Sequence, residues 1–275
     1  MRKNVKQQLA LRVLSTAALM AMVSSIATAA FADTYDLNKG SVTVETKEDG
    51  ATYVTQLDNT QKDGYARNDK DDILHDYQDK TGVTITSGGE KTSNTITVET
   101  AKDQTTDVTL DKVHIEVDTA KTKSGAIEIK GDGNTNLELN GNNTVLTEND
   151  WEEEHAAIEK ADKYGKEGTL TIKDDVNDDG TAKGTDADTT GTLLAGGYHE
   201  AAAIGGGAGE DLCDTSNITI TGGEITAIGG NDGGCGIGGG GRPGGTGKNI
   251  RIGGNAHVTA FGAEGAAIGG SATGG

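Results

Sequence analysis

The feature that most constrains this chain is a short aliphatic burst, closed by glycines, that returns at an interval near 32 residues. AAIGGG around Ile204, CGIGGG around Ile237 and AAIGGS around Ile268 place three isoleucines 33 and 31 residues apart. A longer motif keeps the same interval: NITITGGEITAIGG, from Asn217, returns as NIRIGGNAHVTAFG, from Asn249. Looser copies precede these. Ile127 in GAIEI and Ile158 in AAIEK are 31 residues apart, and Leu137 in TNLELNG and Leu170 in GTLTI are 33 apart. Self-similarity at a fixed period marks a repeat architecture, in which each unit buries its apolar face against its neighbours.

Within a unit the apolar positions recur every second residue, as in Ile218 and Ile220, Ile225 and Ala227, Cys235 and Ile237. That period predicts strands with one buried face. Gly, Asn and Asp separate the strands, and these residues tolerate the left-handed backbone of tight turns. Three strands within one such repeat leave no room for helical crossovers. Each repeat is therefore read as one coil of an all-β parallel β-helix, with like side chains stacked in columns such as Ile204, Ile237 and Ile268. A phosphate-cradling reading of the glycines fails on spacing: Gly247-Lys248 is followed by Asn249, and Arg242 stands where a phosphate loop needs glycine.

Hydrophobic residues make up 33% of the chain and aromatics 3%, too little for a large globular core. A solenoid escapes that objection because its core is a thin column of small aliphatic residues backed by continuous backbone hydrogen bonding. The single proline, Pro243, falls in a glycine-rich turn, where a ladder can spare its missing N–H. Cys235 precedes Ile237 by two, as Ala202 precedes Ile204, so its thiol is predicted to be buried and free. Cys213 lies out of that column, which argues against a disulfide.

The ends of the chain carry their own signals. MRKNVKQQLALR holds four cations and no acid, an apolar run follows, and Ala30-Phe31-Ala32 fits the small-residue cleavage rule. Residues 1–32 are read as a secretory signal peptide, whose apolar run is too short to favour a membrane span. The mature chain is expected to be secreted or held at the cell surface, without membrane insertion after cleavage. Loss of the four cations takes the net charge from −19 to −23, which repels nucleic acid. Residues 33–81 lack the repeat and are read as an N-terminal cap over the first coil. Residues 82–275 are read as the coils, and the stop at GGSATGG, directly after a third burst, predicts further coils downstream.

Chemistry is sparse in such a sequence. The longest break in the period contains DVNDDGTAKGTD, where Asp175, Asn177, Asp179, the Thr181 carbonyl and Asp186 match the alternating oxygen ligands of a calcium loop. The loop is similar to that of dockerins, although no helices flank it and Ala182 is smaller than usual; a solvated acidic turn is the alternative. WEEEH holds the only tryptophan, and Trp151 beside Glu153 suits a sugar platform in which an apolar ring face stacks and a carboxylate accepts hydroxyls. Tyr164 and Tyr198 are candidates to extend it; a Trp shielding the flank of the solenoid is the plainer alternative. The histidines show no HxH or HxxxH spacing, which argues against zinc. Carboxylates are too numerous for a glycosidase pair to stand out, and no base is placed for a β-elimination lyase.

NTITVET, DVTLDKVHIEV, GAIEIKGDGNTNLELNGNNTVLT and the AAIGGG to GIGGG coils, behind a signal peptide, resemble the bacterial secreted carbohydrate-binding domain proteins built on a pectate-lyase-like right-handed parallel β-helix. The resemblance covers roughly residues 80 to 275. It implies an extracellular or surface location, calcium on the helix, and binding of cellulose-like or acidic polysaccharides with no need for catalysis; the expected partner is a polysaccharide or a host or bacterial surface glycan. Fold analogy does not fix function, so three readings stand: a non-catalytic carbohydrate-binding or adhesin-like protein, a purely structural surface spacer, and a calcium-dependent polysaccharide lyase.

Overall fold

The structure is a computed structural model that describes residues 33–57, 73–79, 82–148, 154–174 and 191–271, with backbone only for 33, 57 and 73–79. It is all-β. The only helical turns among the described residues are Thr119–Thr122 and the 3-10 turn Asp162–Tyr164. Three long sheets carry almost all the strands.

Sheet 1 runs from Asp33–Asp36 through Val83–Thr86, Thr105–Asp111, Asn134–Asn140, Leu170–Asp174 and Ile218–Ile220 to Arg251–Ile252. Sheet 2 contains Lys91–Thr92, His114–Asp118, Asn142–Glu148, Thr192–Gly196, Glu224–Ile228 and His257–Phe261. Sheet 3 contains Val42–Thr46, Ile96–Thr100, Ile127–Lys130, Ile158–Glu159, Ile204–Gly205, Ile237–Gly238 and Ile268–Gly269. From Val83 onward the chain visits sheets 1, 2 and 3 in that order and then repeats the circuit. Every pairing within these runs is parallel.

The register explains the repeat. In sheet 3, Val42, Ile96, Ile127, Ile158, Ile204, Ile237 and Ile268 are successive partners, so the predicted column of Ile204, Ile237 and Ile268 takes in the looser copies Ile127 and Ile158 and reaches back to Ile96 and Val42. Sheet 1 stacks Val83, Val108, Leu137, Ile172, Ile220 and Ile252, and sheet 2 stacks Ile115, Val145, Ala195, Ala227 and Ala260. Residues of all three columns belong to one buried cluster. The expected equivalence of Leu137 and Leu170 is corrected by two residues: Leu137 pairs with Ile172, and Leu170 with Thr135. A shift of two leaves both side chains on the same face, so alternation alone does not reveal it.

Buried polar groups are stacked as well. Thr46 Oγ1 lies 2.6 Å from Thr106 Oγ1, Thr100 lies 2.7 Å from Thr106, and Thr100 lies 3.2 Å from Thr135, forming a hydroxyl ladder where sheet 3 turns toward sheet 1. At the corner between sheets 1 and 2, Asn143 accepts from the Val113 N–H at 2.9 Å and donates to the Asn140, Gly141 and Thr192 carbonyls. Each group thereby recovers the bonds that burial would otherwise cost it.

Ahead of these coils, Asp33–Asp36 and Val42–Thr46 already pair in parallel with the strands at 83 and 96. Thr52–Leu57 and Ile73–Asp79 then extend sheet 3 antiparallel. The outer strand, Ile73–Asp79, carries Asp76 and Asp79, and charged residues discourage pairing with another chain at a sheet edge. Both cysteines are free and buried, as expected of Cys235.

The glycine after each late isoleucine has a steric cause. Gly205 and Gly238 have φ of +137° and +143°, and a Cβ on them would lie 2.0 and 1.9 Å from the carbonyl oxygens of Gly238 and Gly269. Gly238→Ala is expected to lower stability by more than about 1 kcal/mol through this clash, and Ile158→Ala by about 2–5 kcal/mol through the void left in the column. Urea unfolding midpoints of the two variants test both.

Candidate functional site

Of the residues singled out in the sequence, Trp151 and Glu153 lie outside the described residues, as do Asp175, Asn177, Asp179, Thr181 and Asp186. The base of that acidic excursion is described: the Gly191 N–H donates to Asp174 Oδ1 at 2.8 Å, joining its two ends. Tyr164 sits in the 3-10 turn after a sheet 3 strand, with Lys130 Nζ 4.9 Å from its ring centre. Tyr198 lies before the next sheet 3 strand, 38% exposed, its ring 6.3 Å from that of His199. The two tyrosines therefore flank sheet 3 at opposite ends of its strands and do not form one platform.

What the successive strand circuits do gather is a set of buried histidines and glutamates. His155 lies 2.9 Å from Glu159 Oε2, which also accepts from the Ala156 N–H at 3.0 Å. Glu159 has no exposed surface, and Glu128, its direct partner on the preceding strand, is 5% exposed. Lys130 reaches Glu128 at 2.8 Å. Next to this group, His199 Nδ1 lies 2.6 Å from Glu154 Oε1, and its Nε2 lies 2.7 Å from Asp232 Oδ2. Glu154 also accepts from the Glu200 N–H at 2.9 Å, while Arg242 pairs with Glu200 at 2.7 Å. This second network ties residues from three successive circuits of the three sheets. Glu154 and His155 are consecutive, so the two groups share one stretch of backbone.

Burial sets the electrostatics. Desolvation pushes the Glu159 and Glu154 carboxyls above their usual 4.5, against the lowering effect of their histidine partners. Desolvation also pulls the Lys160 ammonium below its usual value; Lys160 is 1% exposed and donates to the Gly165 carbonyl at 2.6 Å.

Local spacing missed these groups because the parallel register brings residues 31 or 45 positions apart into contact. One trace was nevertheless present. GAIEI and AAIEK both place a glutamate directly after a stacking isoleucine, and those glutamates, Glu128 and Glu159, are the pair that meets.

Two surface features complete the inventory. On the outer face of sheet 2, Leu194 (37% exposed), Ile228 (44%) and Phe261 (57%) project where charged groups are usual, with Tyr198 just beyond the strand. Ile228 and Phe261 are register partners. An open groove of about 560 Å³ between the sheet 3 to sheet 1 turns is lined by Glu45, Lys47, Glu48, Asp49, Lys102 and Asp132, among others. Lys102 is neutralised there by Glu167 at 2.6 Å.

The raised carboxyls give a pH prediction. In the folded chain Glu159 holds a proton that the unfolded chain releases, so its effect on stability becomes less favourable as pH rises from about 4.5. Glu159→Gln does not ionise, and its stability relative to the native chain is expected to rise between that pH and neutrality. Unfolding midpoints across the range check this; parallel curves would show that Glu159 does not titrate in that window.

No family model, curated protein or solved structure matches this chain, and what its site does is read from its own residues.

Proposed function

We propose that the three sheets are the walls of one right-handed parallel β-helix, and that the chain is an exported, non-catalytic protein that binds carbohydrate with one long face. The cyclic order of the sheets supports the helix, because parallel crossovers are almost always right-handed. The signal-like first 32 residues support export. The observation that carries the binding reading is the stripe of Leu194, Ile228 and Phe261 on sheet 2, with Tyr198 just beyond the strand, an exposed apolar surface of the kind that marks interaction sites. Sugar rings offer C–H faces to such a stripe and hydroxyls to the threonines beside it, Thr226 and Thr259.

A spacer is the second reading, favoured by the unbroken sheet 3 column, which adds length at constant cross-section. A lyase fits less well. Both His–Glu groups are buried, which keeps their acids and bases from a polymer, and the open groove pairs its Lys102 with a carboxylate. Calcium is retained in the proposal on the strength of the 175–186 pattern alone.

Incubating the mature protein with neutral and acidic polysaccharides, with and without calcium, separates these readings. Retention without unsaturated product is expected; product would identify a lyase, and neither would leave the spacer. Ile228→Ser combined with Phe261→Ser is expected to weaken retention about tenfold or more. Asp175→Ala with Asp179→Ala is expected to abolish any calcium-induced rise in melting temperature, and an unchanged rise would exclude this loop.

A further inference from the structure

Glu128 and Glu159 present two carboxylates from neighbouring strands at the same register position, both almost wholly buried. Like charges placed opposite each other on a sheet repel, and burial removes the water that would screen them. His155 completes the group, and the ligand-capable atoms of the three side chains all lie within 4.8 Å of one another. The Lys130 ammonium, on a side chain 30% exposed, reaches Glu128 at 2.8 Å.

We infer that Glu128, His155 and Glu159 form a binding site for a divalent transition-metal ion, with zinc the ion this donor set suits best. One imidazole nitrogen and two carboxylate oxygens are ligands that zinc takes, leaving a fourth position for water or a second carboxylate oxygen. Calcium instead seeks six to eight oxygens, and magnesium keeps several waters. On coordination, the imidazole would bind as the neutral ring, with its one proton on Nε2 and the Nδ1 lone pair toward the ion, and each carboxylate would bind as the anion, any proton it held passing to solvent. The site is closed: a Cβ on Gly207 would lie 2.9 Å from Glu159 Oε2 and 2.6 Å from the Glu154 carbonyl. That closure assigns the ion a structural role, holding the turn at residues 154–157 against two strands of sheet 3. The adjoining group is the poorer candidate, because both His199 nitrogens already face carboxylates and Glu200 holds Arg242.

Chelator-treated mature protein titrated with zinc by calorimetry, near neutral pH, tests the assignment. One zinc per chain is expected, with a raised melting temperature, and cobalt(II) in the same protein is expected to show the intense visible bands of a low-coordinate site. His155→Gln and Glu128→Gln should each weaken zinc by more than about 100-fold, since losing a ligand exceeds the 10- to 100-fold cost of losing an outer partner. His199→Gln should leave zinc affinity unchanged. Absence of zinc uptake by the native chain overturns the inference whether or not the variants fold. So does affinity kept in a folded His155→Gln chain, or lost only in His199→Gln. None of these outcomes depends on carbohydrate retention or on the calcium loop.

Discussion

Register is the constraint on which the rest depends. A parallel ladder with fixed partners puts each side chain above its counterpart one circuit earlier, so a residue chosen once must suit the same place again. Isoleucine answers that demand in sheet 3, where it fills the interior and stacks on itself from Ile96 to Ile268. Threonine and asparagine answer it at the corners, where the chain turns and its polar groups must find partners inside the protein. The low aromatic content follows, because a large ring repeated at every level would overfill so narrow a core.

The same rule produces the buried charged groups. An outward position after the stacking isoleucine is normally wetted, but the turns at 154–157 and 205–207 pass over Glu159 and cover it. Once covered, a carboxylate needs a donor or a cation close by, and His155 and the Ala156 N–H take that place. In the later circuits the position is glycine, at Gly205 and Gly238, and the backbones approach where a side chain had stood.

Much of this was legible in the sequence because the period survives in residue type. The all-β character, the parallel stacking of Ile204, Ile237 and Ile268, and the free buried Cys235 follow from spacing and alternation. The two-residue shift at Leu137 was hidden, since the turn at Asp162–Tyr164 changes the length of one circuit while preserving the alternation. The pairing of Asp33 and Val42 with later strands was hidden for a related reason: Val42 stands 54 positions before its partner Ile96, far from the usual interval. The histidine groups were least legible. Spacing rules for metal ligands are written for helices and short loops, and they do not register His199 with Glu154, 45 positions away.

The hydrogen bond that joins Gly191 to Asp174 has an evolutionary reading. Because the excursion leaves and re-enters the wall at nearly one point, its length is decoupled from the architecture it interrupts, and the entropic penalty of closing a longer loop grows only logarithmically. Such a junction is a socket where descendants of this chain could exchange one insert for another, changing what the surface displays while every rung above and below stays in place.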